Sequence, residues 1–366
     1  MPAPKTTLWP IDGHTRAKHE ILRRYLAAWL PIMTSVNGRI IYLDGFAGPG
    51  EYQGGEPGSP IIAIDTFLDH KYAPLRDREV LFFFIEQKHD RYEHLKQLLA
   101  QRTLPPRASY EVLEGNFDET LTGLLDELES QQLPIAPTFA FIDPFGYSHT
   151  PMETIRRLMS HPKCEILITF MYEEINRFLD ADYTNKAAQY DALFGTTEWN
   201  TITKKARTPR ERRDRLHNLY QDQLRQVAGI RYIRSFCMRN KHNNVDYFLF
   251  FGTNNLLGMK RMKESMWRVD PTGTFEFSDN TNPNQLLLFS QSDYSILQSM
   301  LSNHFNGQMA TVEDIEEYVI AETPFYKFKS EALKPMETAG KIIALATDSK
   351  RRKGTFSDEK MPIRFL

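Results

Sequence analysis

The chain has 366 residues, 41% hydrophobic and 12% aromatic, enough to bury one large core and a smaller one. Its formal net charge of −2 excludes a globally basic nucleic-acid binder and leaves any such contact to local patches. Two cysteines, Cys164 and Cys237, exclude a disulfide framework and a zinc cluster, and both sit in apolar strand-like runs that predict buried thiols. No apolar run reaches the ~18–20 residues of a membrane span, and the N-terminus lacks a signal-peptide pattern. A cytoplasmic protein is the expectation.

In chain order, residues 1–13 are Pro-rich and read as irregular. From Thr15 to Met33, Ile21, Leu22, Tyr25, Leu26, Trp29 and Leu30 recur at helical spacing, with Lys18 and His19 near the start. An apolar run, Ile40 to Leu43, predicts a buried strand feeding the turn Asp44-Gly45-Phe46-Ala47-Gly48-Pro49-Gly50. Glycine there lets a ligand approach the backbone. Pro60 suits the first turn of a helix ending at Leu68. A second strand, Phe82 to Glu86, precedes a helix from His89 to Gln101. A third, Val112 to Phe117, has Asn116 and Phe117 at its tip and precedes a helix from Asp118 to Glu129. A fourth runs from Phe139 into Asp143-Pro144-Phe145-Gly146, followed by a helix ending near Ser160. Cys164 to Phe170 is the fifth.

Strands alternating with helices predict an α/β, Rossmann-type doubly wound sheet, mostly parallel. Residues 171–228 read as a helical insertion with a basic block: Lys204, Lys205, Arg207, Arg210, Arg212, Arg213 and Arg215. Strands Ile230–Met238 and Val245–Gly252 flank a turn-prone link and predict an antiparallel pair near the end of the sheet. A helix, Leu256 to Trp267, closes this domain, taken as residues 1–270. Residues 271–289 read as a linker. From 290 to 366, three short helices and a hairpin around Lys350-Arg351-Arg352-Lys353-Gly354 follow the winged-helix pattern.

Ligands of open parallel sheets bind beyond the carboxyl ends of the strands. Asp44, Glu86, Asn116 and Asp143 all fall there. Glu86 is placed to accept hydrogen bonds from ribose hydroxyls. Asp44 would repel a pyrophosphate but suits an ammonium, so S-adenosylmethionine fits the turn and a dinucleotide does not. The plainer alternative is that Asp44 caps the loop. Methylating an exocyclic amine requires the nitrogen lone pair to leave conjugation. Asp143 and the Pro144 carbonyl can accept the amine hydrogens, and Phe145 can stack on an extruded base. The plainer alternative is an ordinary Pro-Gly turn.

Asp44 to Gly50, Glu86, Asn116 and Asp143 to Gly146 together resemble the class I, Rossmann-type S-adenosylmethionine-dependent methyltransferases. Lys18-His19 with Tyr42 to Gln53 is similar to ribosomal-RNA adenine-N6 methyltransferases, where the Lys-His helix helps enclose the cofactor. Ile142 to Gly146 is similar to guanine-N2 tRNA methyltransferases. Lys18 to Leu22, the first turn, Phe141 to Gly146, Phe170 to Phe178, Ala332 to Met336 and Arg352 to Phe356 resemble the three-Cys-motif partner (TcmP-like) family. That resemblance implies a partner carrying a cysteine motif.

The expectation is therefore an N-methyltransferase acting on a nucleic-acid base, RNA ahead of DNA. Lys18, His19, Asp44, Gly45, Phe46, Gly48, Gly50, Glu86, Asn116 and Phe117 hold the cofactor. Asp143, Pro144 and Phe145 act on the amine. Lys204, Lys205, Arg207, Arg212, Arg213, Arg351, Arg352 and Lys353 face phosphates. No metal is expected. The rival is a non-catalytic adaptor for nucleic acid or for the partner; a small-molecule methyltransferase is a third reading.

Overall fold

The computed structural model describes residues 6–146, 150–179, 183–279, 293–345 and 351–366. The chain divides into two units, Met1–Ser265 with Glu276–Pro283, and Met266–Phe275 with Asn284–Leu366.

The first unit is built on an eight-stranded sheet: β1 (Arg39–Asp44), β2 (Glu79–Glu86), β3 (Ala108–Glu114), β4 (Thr138–Ile142), β5 (Glu165–Phe170), β6 (Tyr232–Arg239), β7 (Val245–Thr253) and β8 (Glu276–Ser278). Their spatial order is β3-β2-β1-β4-β5-β7-β6-β8. β1 to β5 run parallel, and β7 alone is reversed, pairing antiparallel with both β5 and β6. This is the Rossmann-like α/β arrangement, with the expected antiparallel strand near the end. The order reverses between β1 and β4, so a crevice opens at their carboxyl ends.

The helices of this unit are α1 (Gly13–Val36), α2 (Ser59–Leu68), α3 (His89–Leu99), α4 (Phe117–Ser130), α5 (Met152–Met159), α6 (Tyr172–Leu179), α7 (Tyr183–Phe194), α8 (Glu198–Lys205), α9 (Pro209–Gln226) and α10 (Leu256–Val269), whose last residues count with the second unit. α1 starts where the Asp12 carboxylate accepts from the Thr15 N–H at 2.8 Å. The buried side of α1 carries the apolar residues whose spacing predicted it, with Tyr25 packed 5.0 Å from both Phe139 and Phe251.

Two expectations are corrected here. Asn116 and Phe117 are not a strand tip. Asn116 Oδ1 accepts from the Asp118 N–H at 2.8 Å and caps α4, whose first residue is Phe117. The stretch read as a linker contains β8, which adds to β6 in parallel; residues 280–289 of it lie outside the described residues. The helical segment after β5 is also more than a basic appendage. Tyr190, Phe194, Trp199, Leu216, Tyr220 and Leu224 join the same buried cluster as Ile166, Ile168 and Phe250 of the sheet. Cys164 is buried as expected, and Cys237 is half-buried.

The second unit holds α11 (Tyr294–His304), β9 (Met309–Thr311), α12 (Val312–Glu322), a π-helical turn Lys329–Leu333 running into α13 (Lys334–Thr338), β10 (Ile342–Ala344) and β11 (Pro362–Phe365). Its three strands form one antiparallel sheet in the order β10-β11-β9. A reciprocal cap between Thr311 and Asp314 starts α12. Leu297, Leu301, Val312, Ile315, Val319, Leu333, Met336 and Ile363 are buried within it. Among the described residues of the chain, no helix is long and apolar enough to cross a membrane.

Candidate active site

The glycine turn leaves β1 at the point where the sheet reverses. It is tied to both neighbouring strands: Gly45 N–H donates to the Phe141 carbonyl and Ala47 N–H to the Ile85 carbonyl, each at 2.9 Å. Gly45 must lack a side chain, because a Cβ there would lie 2.5 Å from the Phe117 ring. Gly50 is at φ +87°, and a Cβ on it would press on Leu95. Both requirements come from packing rather than from a ligand.

Two carboxylates flank the turn. Asp44, fully buried, accepts from the Phe46 N–H and the Tyr42 hydroxyl, both at 3.3 Å, and from Ser59. Burial pushes its carboxyl up to about 7 against those hydrogen bonds, and the charge of Asp143 adds to the rise. Glu86 accepts from Gly48 N–H through Oε2 and from Lys88 N–H through Oε1, both at 2.8 Å. Burial raises its pKa too, opposed by those two amides and by Arg91.

Lys18, from α1, reaches across to Asp143 just past β4, with Nζ 2.5 Å from Oδ2 and 5.1 Å from the Tyr247 ring centroid. The other oxygen of Asp143 accepts from the Thr169 hydroxyl at 2.6 Å. The residue expected beside the cofactor and the residue expected to act on the amine thus form one ion pair. His19 packs 5.7 Å from Tyr52, and burial with the neighbouring Lys18 charge lowers its pKa to about 3. It is therefore neutral at physiological pH.

Gly45, Phe46, Glu86, Asn116, Phe117, Arg91 and Phe145 line a cavity of about 120 Å³ at this rim. Phe145, expected to stack on an extruded base, lines this cavity. Its ring meets Trp9 edge-on at 5.4 Å, on the side of Glu86 and Asn116, and Trp9 also packs 5.6 Å from Tyr52. The Arg91 guanidinium lies 4.6 Å from the Trp9 ring and 5.5 Å from the Phe145 ring. The residues fit an adenosyl group in kind: a carboxylate at the end of β2, and Asn116, Phe46 and Phe117 beside it. They do not yet fit it in volume, since small-molecule pockets span ~300–1,000 Å³. Phe145 lines the cavity and Trp9 packs behind it, so a larger occupant would have to displace Phe145 against Trp9. Among the described residues, no group of His, Cys, Asp and Glu could hold a metal ion.

Trp9, Arg91, Tyr52, Thr169 and Tyr247 are the site residues that sequence reasoning missed. Trp9 lay in a stretch read as irregular, Tyr52 stood in the Tyr42 to Gln53 resemblance without a role of its own, and the others carry no local signature.

The expected phosphate contacts are scattered. Lys204, Lys205 and Arg207 are exposed around the end of α8. On α9, Arg212 reaches Asn176 at 3.3 Å and Arg213 pairs with Asp214 at 2.7 Å. In the second unit, Arg351 is taken up by Glu337 in a two-pronged pair at 2.7 and 3.0 Å, so it clamps that unit's own fold. Arg352 and Lys353 are exposed, and Lys350 lies outside the described residues.

No protein-family model matches the chain, and no curated protein matches it. Among solved structures it is similar to human methyltransferase-like protein 13 in complex with SAH, at 9% identity and a TM-score of 0.37, over 75% of this chain and 96% of that one. An O-methyltransferase from Bacillus cereus in complex with SAH matches at 10% identity and 0.34, over 67% and 84%. Protein LPL1258 from Legionella pneumophila matches at 12% and 0.36, over 64% and 85%. At these scores the likenesses carry no weight for fold or activity, and the assignment of the fold rests on strand order and register.

Proposed function

We propose that the first unit is an S-adenosylmethionine-dependent methyltransferase that acts on an exocyclic amine of a nucleic-acid base. The observation that carries this reading is the convergence at the sheet's reversal point. Asp44, Glu86 and Asn116 end or follow three strands on the cofactor side, and Asp143 stands beside them on the fourth. When bound, the cofactor supplies a methyl group on a positively charged sulfur. Asp44 and Glu86 would hold its amino-acid and ribose portions, and Phe46, Phe117 and Asn116 would lie beside its ring.

Asp143 then does the work at the amine. Each carboxylate oxygen already accepts one hydrogen, from Lys18 or Thr169, and keeps a further lone pair for an amine hydrogen. Accepting those hydrogens frees the nitrogen lone pair, and Asp143 is the nearest group to receive the proton that must leave after transfer. Lys18 holds the Asp143 carboxylate in place. Neutral, buried His19 packs against half-buried Tyr52 next to Lys18.

The second unit reads as a winged helix, from its helix–strand–helix–helix–strand–strand order, with Arg352 and Lys353 on the segment between β10 and β11. Those two residues would supply phosphate contacts, RNA ahead of DNA. A protein bearing the three-Cys motif is the partner that the sequence resemblance implies.

The test pairs calorimetry with methyl transfer. Wild type should bind S-adenosylmethionine and move tritium from it to RNA. Asp143→Ala should keep binding and lose transfer by about 10²–10⁴-fold. Absence of cofactor binding would falsify the proposal. The Trp9–Arg91–Phe145 cover favours one rival, a non-catalytic adaptor; tight polynucleotide or partner binding with no cofactor binding would establish it.

A further inference from the structure

A second cavity, of about 470 Å³, lies at the opposite end of the sheet from Asp44 and Asp143. It opens beside the amino end of β5 and the end of the reversed strand β7, between α1 and the start of α10. Its walls combine an apolar part, Trp29, Ile32, Met33 and Val36 from α1 and Leu257 from α10, with polar residues at its edge. One acid sits among them. Glu165, the first residue of β5, is 5% exposed.

The surroundings of that carboxylate are unusual. Tyr25 donates to Oε2 at 2.7 Å and Thr253 to Oε1 at 2.6 Å, so both partners are neutral hydroxyls. Burial raises the pKa of Glu165, opposed by the Thr253 and Tyr25 hydroxyls and by the nearby Trp29 indole N–H, which lacks the geometry of a hydrogen bond and has no other partner. Among the described residues, no cation offsets the charge. The two basic side chains of the lining are turned elsewhere, Lys163 to Asn37 at 2.7 Å and Arg261 to Glu264 at 2.7 Å. Gly258 faces Oε1 so closely that any Cβ would collide with it. A buried carboxylate without a countercharge is costly, yet here it borders a space of ordinary ligand size rather than packed side chains.

We propose that this cavity is a second ligand site, built for a small organic cation: a protonated amine or amidine carried on an apolar body. The cationic head would use the free lone pairs of Glu165, and the body would cover Trp29, Met33 and Leu257. The site is independent of the methyl-transfer reading, since it shares no residue with the rim.

Benzamidinium, with neutral benzamide of the same shape as control, tests this on the full chain by thermal shift and intrinsic tryptophan fluorescence. Benzamidinium should give a saturable stabilisation and a fluorescence change; benzamide should give neither. Glu165→Gln should weaken binding by about tenfold or more. Should that variant fail to fold, Leu257→Arg places a like charge at an exposed part of the lining and should weaken benzamidinium binding while leaving thermal stability intact. Equal responses to the two probes would overturn the proposal. So would binding unchanged in the variants, or no saturable response to millimolar benzamidinium; any of these would leave Glu165 as a buried hydroxyl acceptor.

Discussion

Asp44→Asn isolates the electrostatics of the reversal point. In the unfolded chain the Asp44 carboxyl ionises near 3.8, and in the folded protein it keeps its proton up to about 7. Between those values the folded state binds one proton more than the unfolded state, so stability falls as pH rises. At ~1.4 kcal/mol per pH unit, a rise from 3.8 to about 7 makes a contribution of about 4 kcal/mol, present below pH 3.8 and lost by pH 7. The substitution removes that titration and nearly preserves shape. Its cost is one altered hydrogen bond among Tyr42, Phe46 and Ser59, about 1 kcal/mol and constant with pH.

Denaturant unfolding of both proteins from pH 4 to pH 8 should therefore show the variant gaining on wild type by several kcal/mol across the range. The difference between the curves cancels every other titrating group. Parallel curves would refute the reasoning. The same carboxylate bears on cofactor binding, because a cationic partner favours its ionised form. Below pH 7, S-adenosylmethionine binding to wild type should release a proton, visible as a buffer-dependent heat, and binding to the variant should not.

Three further outcomes follow from single contacts. Gly45→Ala drives a methyl group into the Phe117 ring and should destabilise by about 1–3 kcal/mol, read as a lower midpoint at unchanged m-value. His19→Gln should flatten the acid limb of the stability curve. His19 ionises near 6.5 when unfolded and near 3 when folded, so wild type loses stability as pH falls through that window and the variant does not. Trp9→Ala uncovers Arg91 and Phe145 and should speed cofactor association in stopped-flow fluorescence; an unchanged rate would mean that entry does not pass Trp9.

The parts of this fold that were legible are those where one short segment satisfies one local rule. β4 and β5 are buried on both faces, and β1 and β2 on one face with the other partly covered, so continuous apolar runs betrayed them. Their polar ends then located the rim. Legibility stopped where two segments far apart decide the outcome. The tip of β3 read as strand because Val112 and Leu113 are apolar, but the Asn116 side chain turns back to the Asp118 N–H and starts a helix there. β8 spans three residues in an Asn-, Thr- and Gly-rich stretch, and only its pairing with Cys237 to Arg239 of β6 makes it a strand. Arg351 looked like a phosphate contact within a basic run, and the acid that claims it lies fourteen positions upstream.

The same reasoning explains why the site looked simpler in sequence than it is. Strand-end residues were assigned one role each, as though each faced a ligand alone. Folded, they are linked to one another: Lys18 to Asp143, Asp143 to Thr169, Glu86 to Gly48, Arg91 to Trp9 and Phe145. A rim that satisfies its own polar groups is stable without a ligand, which is how a protein can carry buried acids at a reaction centre before the cofactor arrives. It follows that binding must exchange contacts rather than fill a vacant space. Cofactor affinity should then depend on residues such as Trp9 that have no counterpart in the motif, and this is the reason its removal separates a closed enzyme from an adaptor whose rim never opens.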